Sequence, residues 1–332
     1  VKPIASVLGA GSFGTAMANI LAKNGPVFLW GRNSETLRIA EETRMCSGQE
    51  LHDQVYLCDS LEKAAGCEVI LPILPGHAFR EVLVAVEPYL RRDHLLVHGT
   101  KGVEPSEDMR GFMTMGELIK AVTGIRGIGC LAGPNLAREI AEGKPAATVV
   151  ASSDSRILNL LPDLLRSPRF QVLVSDDLYG IELSGILKNI MAIAAGSLHE
   201  FGLGENARAL LVNRGMVEMA HLGVQMGASL KSFLGVAGMG DLMATCSSLN
   251  SRNFTVGRYL AQGKSTAEIQ GIMEETAEGI NTTRLIHRWA MENNARAPIT
   301  RVVYKVLFEE FPAVDAINLL MKVPVREDID FI

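Results

Sequence analysis

The 332-residue sequence lacks any C-x-x-C pair; its five cysteines, Cys46, Cys58, Cys67, Cys130 and Cys246, are odd in number and widely spaced. That excludes a disulfide frame and predicts buried thiols in a reducing compartment. It also lacks an excess of positive charge. With a formal net charge of −5, neither nucleic acid nor an anionic membrane is attracted in general, so an anionic ligand needs a local cluster of cations. No apolar run approaches the roughly 20 residues that span a bilayer, and no signal-peptide pattern opens the chain. The expected location is the cytoplasm, without membrane insertion. Internal repeats, biased linkers and long charge runs are missing as well. What is present is ordinary: 48% hydrophobic and 21% charged residues exclude disordered and fibrous classes, and the length suits about two domains.

The first half carries short apolar runs separated by helical stretches such as TAMANILAKNG. The runs are Ile4 to Leu8, Val27 to Trp30, Val69 to Ile73, Leu95 to His98, Gly127 to Leu131, Ala147 to Ala151 and Phe170 to Val174. Continuous runs, unlike alternating ones, suit strands buried on both faces of a parallel sheet. The expected class is therefore α/β, a Rossmann-type doubly wound sheet, over residues 1–177. From about Asp176 the runs stop. Periodic segments at Tyr179 to His199, Ala207 to Met226, Phe254 to Gln262, Thr266 to Glu275, Asn281 to Asn293 and Ile299 to Glu309 predict an all-helical second domain over 178–332.

Gly9-Ala10-Gly11-Ser12-Phe13-Gly14 lies between the first strand and a helix expected to begin near Thr15. There Gly9 makes the tight turn, Gly11 lets the backbone approach a pyrophosphate, and Gly14 lets helix pack on strand. The helix N-terminus supplies N–H groups to the anion. The second strand ends in Trp30-Gly31-Arg32-Asn33, without the carboxylate that often receives the ribose 2′-hydroxyl of NAD. Arg32 can instead pair with a 2′-phosphate, so NADP(H) is favoured, with NAD(H) as the other choice.

Ligands of open parallel sheets gather beyond the carboxyl ends of the strands. Those ends carry Pro72, Pro75 and Gly76, then Gly99-Thr100-Lys101-Gly102, then Ala132-Gly133-Pro134-Asn135. Lys101 thus places a cation where cofactor and substrate are expected to meet. A second lysine, Lys188, stands alone in GILKNIMAIAAG, where burial of an ammonium is costly. On its helical face lie Ile181, Ser184, Gly185, Met191, Ala192 and Ala195, most of them small. Small neighbours leave the room that a ligand needs. A lysine so placed can donate or accept a proton, and the expected setting is a polar cleft near Lys101 and Asp241.

Two clusters follow in the helical half. Gly235 to Gly240 reads as a flexible glycine loop ending in Asp241, which is either a site carboxylate or a helix N-cap. Asn250-Ser251-Arg252-Asn253 precedes a helix, and an arginine fork beside free N–H groups makes a phosphate clamp. His94 and His98 share i, i+4 spacing across a strand-like run, where it does not make a helical ligand pair, so no metal is expected.

The series G-A-G-S-F-G-T-A, L-W-G-R, T-K-G, G-P-N-L-A-R-E, L-K-N-I-M-A-I, N-A-R-A-L-L, G-M-G-D-L-M-A-T-C, S-R-N and A-E-G-I-N-T resembles the NAD(P)-dependent glycerol-3-phosphate dehydrogenases of bacterial type along essentially the whole length. The resemblance implies a Rossmann domain followed by a helical one, in a homodimer. It implies reversible reduction of dihydroxyacetone phosphate to sn-glycerol 3-phosphate, a phospholipid precursor. Lys188 would be the catalytic acid/base. Cofactor contacts would fall on Ser12, Phe13, Arg32, Lys101, Ala137, Arg252, Thr276 and Glu278, and substrate contacts on Lys101, Gly133, Asn135, Lys188, Asp241, Ser251, Arg252 and Asn253. The chain departs from the bacterial pattern at Asn135, where a small hydroxyl residue is common, in its proline-rich Pro72 to His77 loop, and at Thr276.

Two other readings compete. A ketopantoate or 3-hydroxy acid reductase shares the first motif but not the S-R-N and G-M-G-D set. The other is a non-catalytic redox sensor that binds a dinucleotide to control a partner; a DNA-binding version would need a basic recognition helix, and none is evident.

Overall fold

The computed structural model describes residues 3–106, 111–273 and 277–321. The chain divides into two units, one of Val1–Thr100 with Thr114–Leu178, the other of Lys101–Met113 with Tyr179–Ile332. Sequence periodicity sets a single boundary near residue 178. It does not register the assignment of Lys101–Met113 to the second unit.

In chain order the strands are β1 (Ala5–Leu8), β2 (Val27–Trp30), β3 (Met45–Cys46), β4 (Gln49–Glu50), β5 (Val55–Cys58), β6 (Val69–Pro72), β7 (Leu95–His98), β8 (Val103–Pro105), β9 (Phe112–Thr114), β10 (Gly127–Ala132), β11 (Ala146–Ser152) and β12 (Phe170–Ser175). Among the described residues, eight form one sheet in the order β12-β11-β10-β7-β6-β1-β2-β5, while β3/β4 and β8/β9 form two-stranded sheets. Winding outward in both directions from β1 gives the doubly wound form. Ala5 of β1 stands beside Val27 of β2 and Val69 of β6, all buried in apolar packing on both faces.

The sheet departs from the all-parallel expectation at one place. Neighbours run parallel except β10 and β11, which pair antiparallel, with Cys130 opposite Ala151. Strand β5, at one edge of the sheet, is absent from the sequence reading, whereas β12 at the other edge carries an apolar run and is read although Val174 is exposed. In β5 the central Tyr56 is exposed, so VYLC is no continuous buried run. Helix Ser12–Leu21 seals one face through Met17 and Leu21, packed with Val7, Leu29, Val97 and Val150.

The second unit is built around helix Leu178–Glu200, in which every residue from Gly180 to Ile193 is buried. A helix apolar on all sides belongs in the middle of a bundle. Among the described residues it is the one helix long and apolar enough, by length and composition, to cross a membrane, and 89% of its apolar window is buried inside the protein. This corrects the reading that no stretch approaches such a length: Gly, Ala and Ser spacers between its Ile and Leu residues lower the local run but not the mean. Residues 178–332 hold no strand among the described residues, as expected, and the one full strand in this unit, β8, comes from the Lys101–Met113 segment outside that range.

Two contacts fix the bundle. Cβ atoms added at Gly196 or Gly257 would lie 1.9 Å from the Phe254 and Ile193 carbonyl oxygens, so helices Leu178–Glu200 and Arg252–Ala261 touch backbone to backbone. Glu218, on helix Gly204–Gln225, is fully buried and caps helix Pro298–Phe308. Its carboxylate accepts from the N–H groups of Ile299 (2.7 Å) and Thr300 (2.9 Å) and from the Thr300 hydroxyl (2.6 Å). Burial pushes its pKa up to about 7 against the pull of those donors.

Glu218→Ala should orphan two buried N–H groups and lower unfolding stability by about 2–5 kcal/mol. Denaturant unfolding of the two proteins measures the difference, and a loss below half a kilocalorie would remove Glu218 from this role.

Candidate active site

In the first unit the chain leaves β1 through Gly9, whose φ is +125°, a conformation costly for any residue with a side chain. A Cβ there would lie 2.1 Å from the Ile73 carbonyl oxygen, and one at Gly14 would lie 1.8 Å from the Gly9 oxygen. Gly11 differs, because nothing lies within 4 Å of where its Cβ would be. It is the N-cap of helix Ser12–Leu21, whose start lacks a side-chain cap, so the helix begins at Ser12 and not near Thr15. Gly11 and Ser12 are exposed, leaving an uncapped helix terminus beside open backbone, the arrangement that holds a pyrophosphate. Phe13 is half-buried, with its ring where a side chain on Gly99 would stand.

Beside this turn lies an open cavity of about 640 Å³ lined by Ala10, Gly31, Arg32, Asn33, Ser34, Thr36 and Leu37, none of them acidic. Asn33 is spent on capping the following helix, accepting from the Thr36 N–H at 3.0 Å. The Arg32 guanidinium is exposed and pairs with Glu81 at 3.2 Å. Beyond β10, Gly133 is buried at φ +136°, the Asn135 amide donates to Thr148 at 3.0 Å, and Ala137 opens helix Ala137–Ala141. The Asn135 Oδ1 is buried without a hydrogen-bond partner among the described residues, an acceptor aimed at no protein donor.

The second unit brings three sequence-predicted charges together. Asp241, 2% exposed, receives Lys101 Nζ on Oδ2 and Lys188 Nζ on Oδ1, the latter at 3.3 Å. Lys188 also donates to the Thr245 hydroxyl at 2.6 Å, and that hydroxyl donates to Asp241 Oδ1 at 3.1 Å. The Lys188 amine therefore sits among polar groups although the residue is 4% exposed. Its pKa is pushed down to about 8, first by burial and further by the Lys101 charge, while Asp241 pulls the other way. Neighbouring Cys246 is a buried thiol pushed up to about 12, hence unreactive.

Local structure explains how these groups meet. Gly235 to Gly240 is no flexible loop: Val236–Gly240 forms a π-helical turn running directly into helix Asp241–Ser247. Gly238 is wedged so tightly that a Cβ would lie 2.1 Å from the Phe233 carbonyl oxygen, and the Ser184 hydroxyl, which donates to Ile181 O at 2.8 Å, also lies 3.3 Å from Ala237 O in the turn. Asp241 is not an N-cap, since Gly240 holds that place and the carboxylate faces the lysines. The room made by Gly185 is partly taken by the protein itself, the Lys101 stem passing 3.6 Å from its Cβ position.

The S-R-N motif opens helix Arg252–Ala261, where Ser251 is the N-cap, accepting from the Phe254 N–H at 3.3 Å, and Arg252 is exposed. Asn253 Oδ1 is occupied by the Gly279 N–H at 2.9 Å, which joins this helix start to that of Glu278–Glu292. Glu278 is the first residue of the latter. Thr276 lies outside the described residues.

Models of the NAD-dependent glycerol-3-phosphate dehydrogenase family match this chain, the N-terminal model over residues 4–158 and the C-terminal model over 177–318. The chain belongs to this family. A glycerol-3-phosphate dehydrogenase [NAD(P)+] from Pseudomonas entomophila is 41% identical, covering 100% of this chain and 97% of the relative. One from Alcanivorax borkumensis is 39% identical over 99% and 97%. The crystal structure of a glycerol-3-phosphate dehydrogenase from Coxiella burnetii superposes with a TM-score of 0.88 at 32% identity, covering 97% of this chain and 99% of that one.

Two residues of this dehydrogenase escaped the sequence reading. Thr245 stands four residues after Asp241, one helical turn on, a spacing that places both side chains on one face. Asn189 follows Lys188 and donates to the Lys101 carbonyl at 3.3 Å, while its own carbonyl abuts Gly279. Asn189 thereby links the lysine pair to the Asn253 junction. Its signal was only adjacency to the lysine.

Asp241→Asn should remove the charge that upholds the Lys188 ammonium, so the amine should titrate well below 8. The methyl resonances of the reductively methylated lysine, followed against pH, report it; an unchanged titration would contradict the assigned cause.

Proposed function

We infer that this protein catalyses the NAD(P)H-dependent, reversible reduction of dihydroxyacetone phosphate to sn-glycerol 3-phosphate, supplying phospholipid synthesis. The observation that carries the reading is one buried carboxylate shared by two lysine amines, Lys101 and Lys188. With both amines charged the cluster is a net cation, suited to an anionic ketone whose oxygen gains negative charge as it is reduced. A buried amine held near 8 can exchange a proton close to neutral pH.

The glycine turn fits the dinucleotide: Gly9 and Gly14 admit no side chain, while Gly11 leaves open space at an uncapped helix start. We assign the pyrophosphate to Gly9, Gly11, Ser12, Phe13 and Gly14, the 2′-phosphate to Arg32, and further contacts to Lys101, Ala137, Arg252 and Glu278. NADPH is preferred on the strength of a cavity that contains an arginine and no acid. When bound, the dihydronicotinamide supplies the hydride.

Lys188 is the acid/base. In reduction its Nζ gives a proton to the carbonyl oxygen as the C2=O bond becomes C2–O–H, and the neutral amine stays held by Thr245 and Asp241. Lys101 holds the substrate oxygens and offsets the growing charge. Arg252 takes the phosphate, and Ser251 fixes the helix start from which it projects. With its Oδ1 occupied, Asn253 offers substrate only its amide NH2. Gly133 and Asn135 complete the substrate contacts. Binding at the phosphate orients the carbonyl, so energy gained away from the reacting centre serves the chemistry. The assembly is a homodimer, as the family pattern implies, and the compartment the cytoplasm, where buried thiols stay reduced.

Purified protein should oxidise NADPH, and NADH less efficiently, on addition of dihydroxyacetone phosphate; no turnover with either sinks the activity. Lys188→Ala should lower kcat by about 10²–10⁴ while cofactor binding persists. A mutant of normal rate removes Lys188 from the acid/base role.

The pH profile carries a sign. Reduction needs the ammonium, so its rate should fall as pH rises through about 8, whereas oxidation of glycerol 3-phosphate needs the free amine and should rise over the same interval. Profiles in the two directions that bend together would contradict this.

A further inference from the structure

The Arg32 guanidinium faces two claims. It lines the open cavity at the end of β2, yet its Nη1 donates to both carboxylate oxygens of Glu81, at 3.4 and 3.2 Å. Glu81 belongs to helix Gly76–Val86 and is not itself part of the cavity lining. The lining contains no acid, so Glu81 brings an outside negative charge onto the cation of the pocket.

We propose that Glu81 sets cofactor preference by competing with the 2′-phosphate of NADP(H) for Arg32; this rests on the assignment of Arg32 to that phosphate made above. A phosphate dianion that engages the guanidinium must displace a carboxylate or bind beside it, and either course weakens binding. The 2′-hydroxyl of NAD(H) is uncharged and leaves the ion pair intact. Glu81 therefore penalises one cofactor and not the other, narrowing a preference that Arg32 alone would make wide. Both partners are well exposed, at 65% and 69%, which sets the scale. An exposed ion pair is weak and salt-sensitive, so the effect is a modest tuning of the ratio.

The test compares wild type, Glu81→Gln, Arg32→Ala and the double variant in kcat/KM for NADPH and NADH and in cofactor dissociation constants from fluorescence titration. Glu81→Gln should raise the NADPH/NADH ratio about two- to fivefold at low ionic strength, the range that an exposed ion pair converts to. The gain should shrink as salt is added and should vanish in the Arg32→Ala background. A ratio unmoved by Glu81→Gln while Arg32→Ala weakens NADPH selectively overturns the proposal and leaves the Arg32 assignment standing. A ratio unmoved by Arg32→Ala overturns both. A gain that persists undiminished without Arg32 also overturns competition as the cause.

Discussion

A single buried carboxylate is what the second unit is arranged around. Two ammonium groups cannot be brought together out of water unless an anion lies with them, because burial strips their hydration and their repulsion grows as the surroundings become less polar. Asp241 meets that need with one oxygen for each lysine. The packed π-helical turn aims it, the close fit of Gly238 on the Phe233 backbone holds the turn, and Gly185 gives the Lys101 stem its path. Remove the carboxylate and the cluster has no reason to hold.

Sharing also sets chemical poise. A carboxylate wholly devoted to Lys188 would favour its ammonium more strongly, and removing the carboxylate would favour the neutral amine. Burial pushes the Lys188 pKa down to about 8, with the Lys101 charge acting the same way, while Asp241 at 3.3 Å holds it from falling further. Glu218 shows the same balance with a different outcome. Three donors and complete burial put its carboxyl near 7, where it does structural work at a helix start.

Features written in short, local patterns were legible. The glycine turn needs particular residues at fixed offsets, so Gly9 and Gly14 stand where their backbone crowding requires. Strands buried on both faces announced themselves as apolar runs, and edge strand β5, with Tyr56 facing out, did not. The antiparallel entry of β11 was invisible because a strand's direction leaves no mark on its composition. In the site, Lys188 stood out as a charge in apolar surroundings. Thr245 and Asn189 carry no charge, and their lysine-side partners are long-range, so the only local marks were the place of Thr245 one helical turn after Asp241 and the adjacency of Asn189 to Lys188. Asp241 was ambiguous for the opposite reason: an acid after a glycine stretch satisfies a cap or a site equally well until its contacts are known.

The grouping of Lys101–Met113 with the helical unit has a consequence for how the protein is made. Lys101 and Asp241 are separated by 140 residues, so a ribosome adding 5–20 residues each second delivers them roughly 7–30 s apart. During that interval the nascent chain holds a lysine whose counter-charge has not been synthesised. A chain started at residue 178 would lack this lysine, leaving Lys188 as the one lysine paired with Asp241. The cation cluster is thus completed only after Asp241 has been made, 140 residues beyond Lys101.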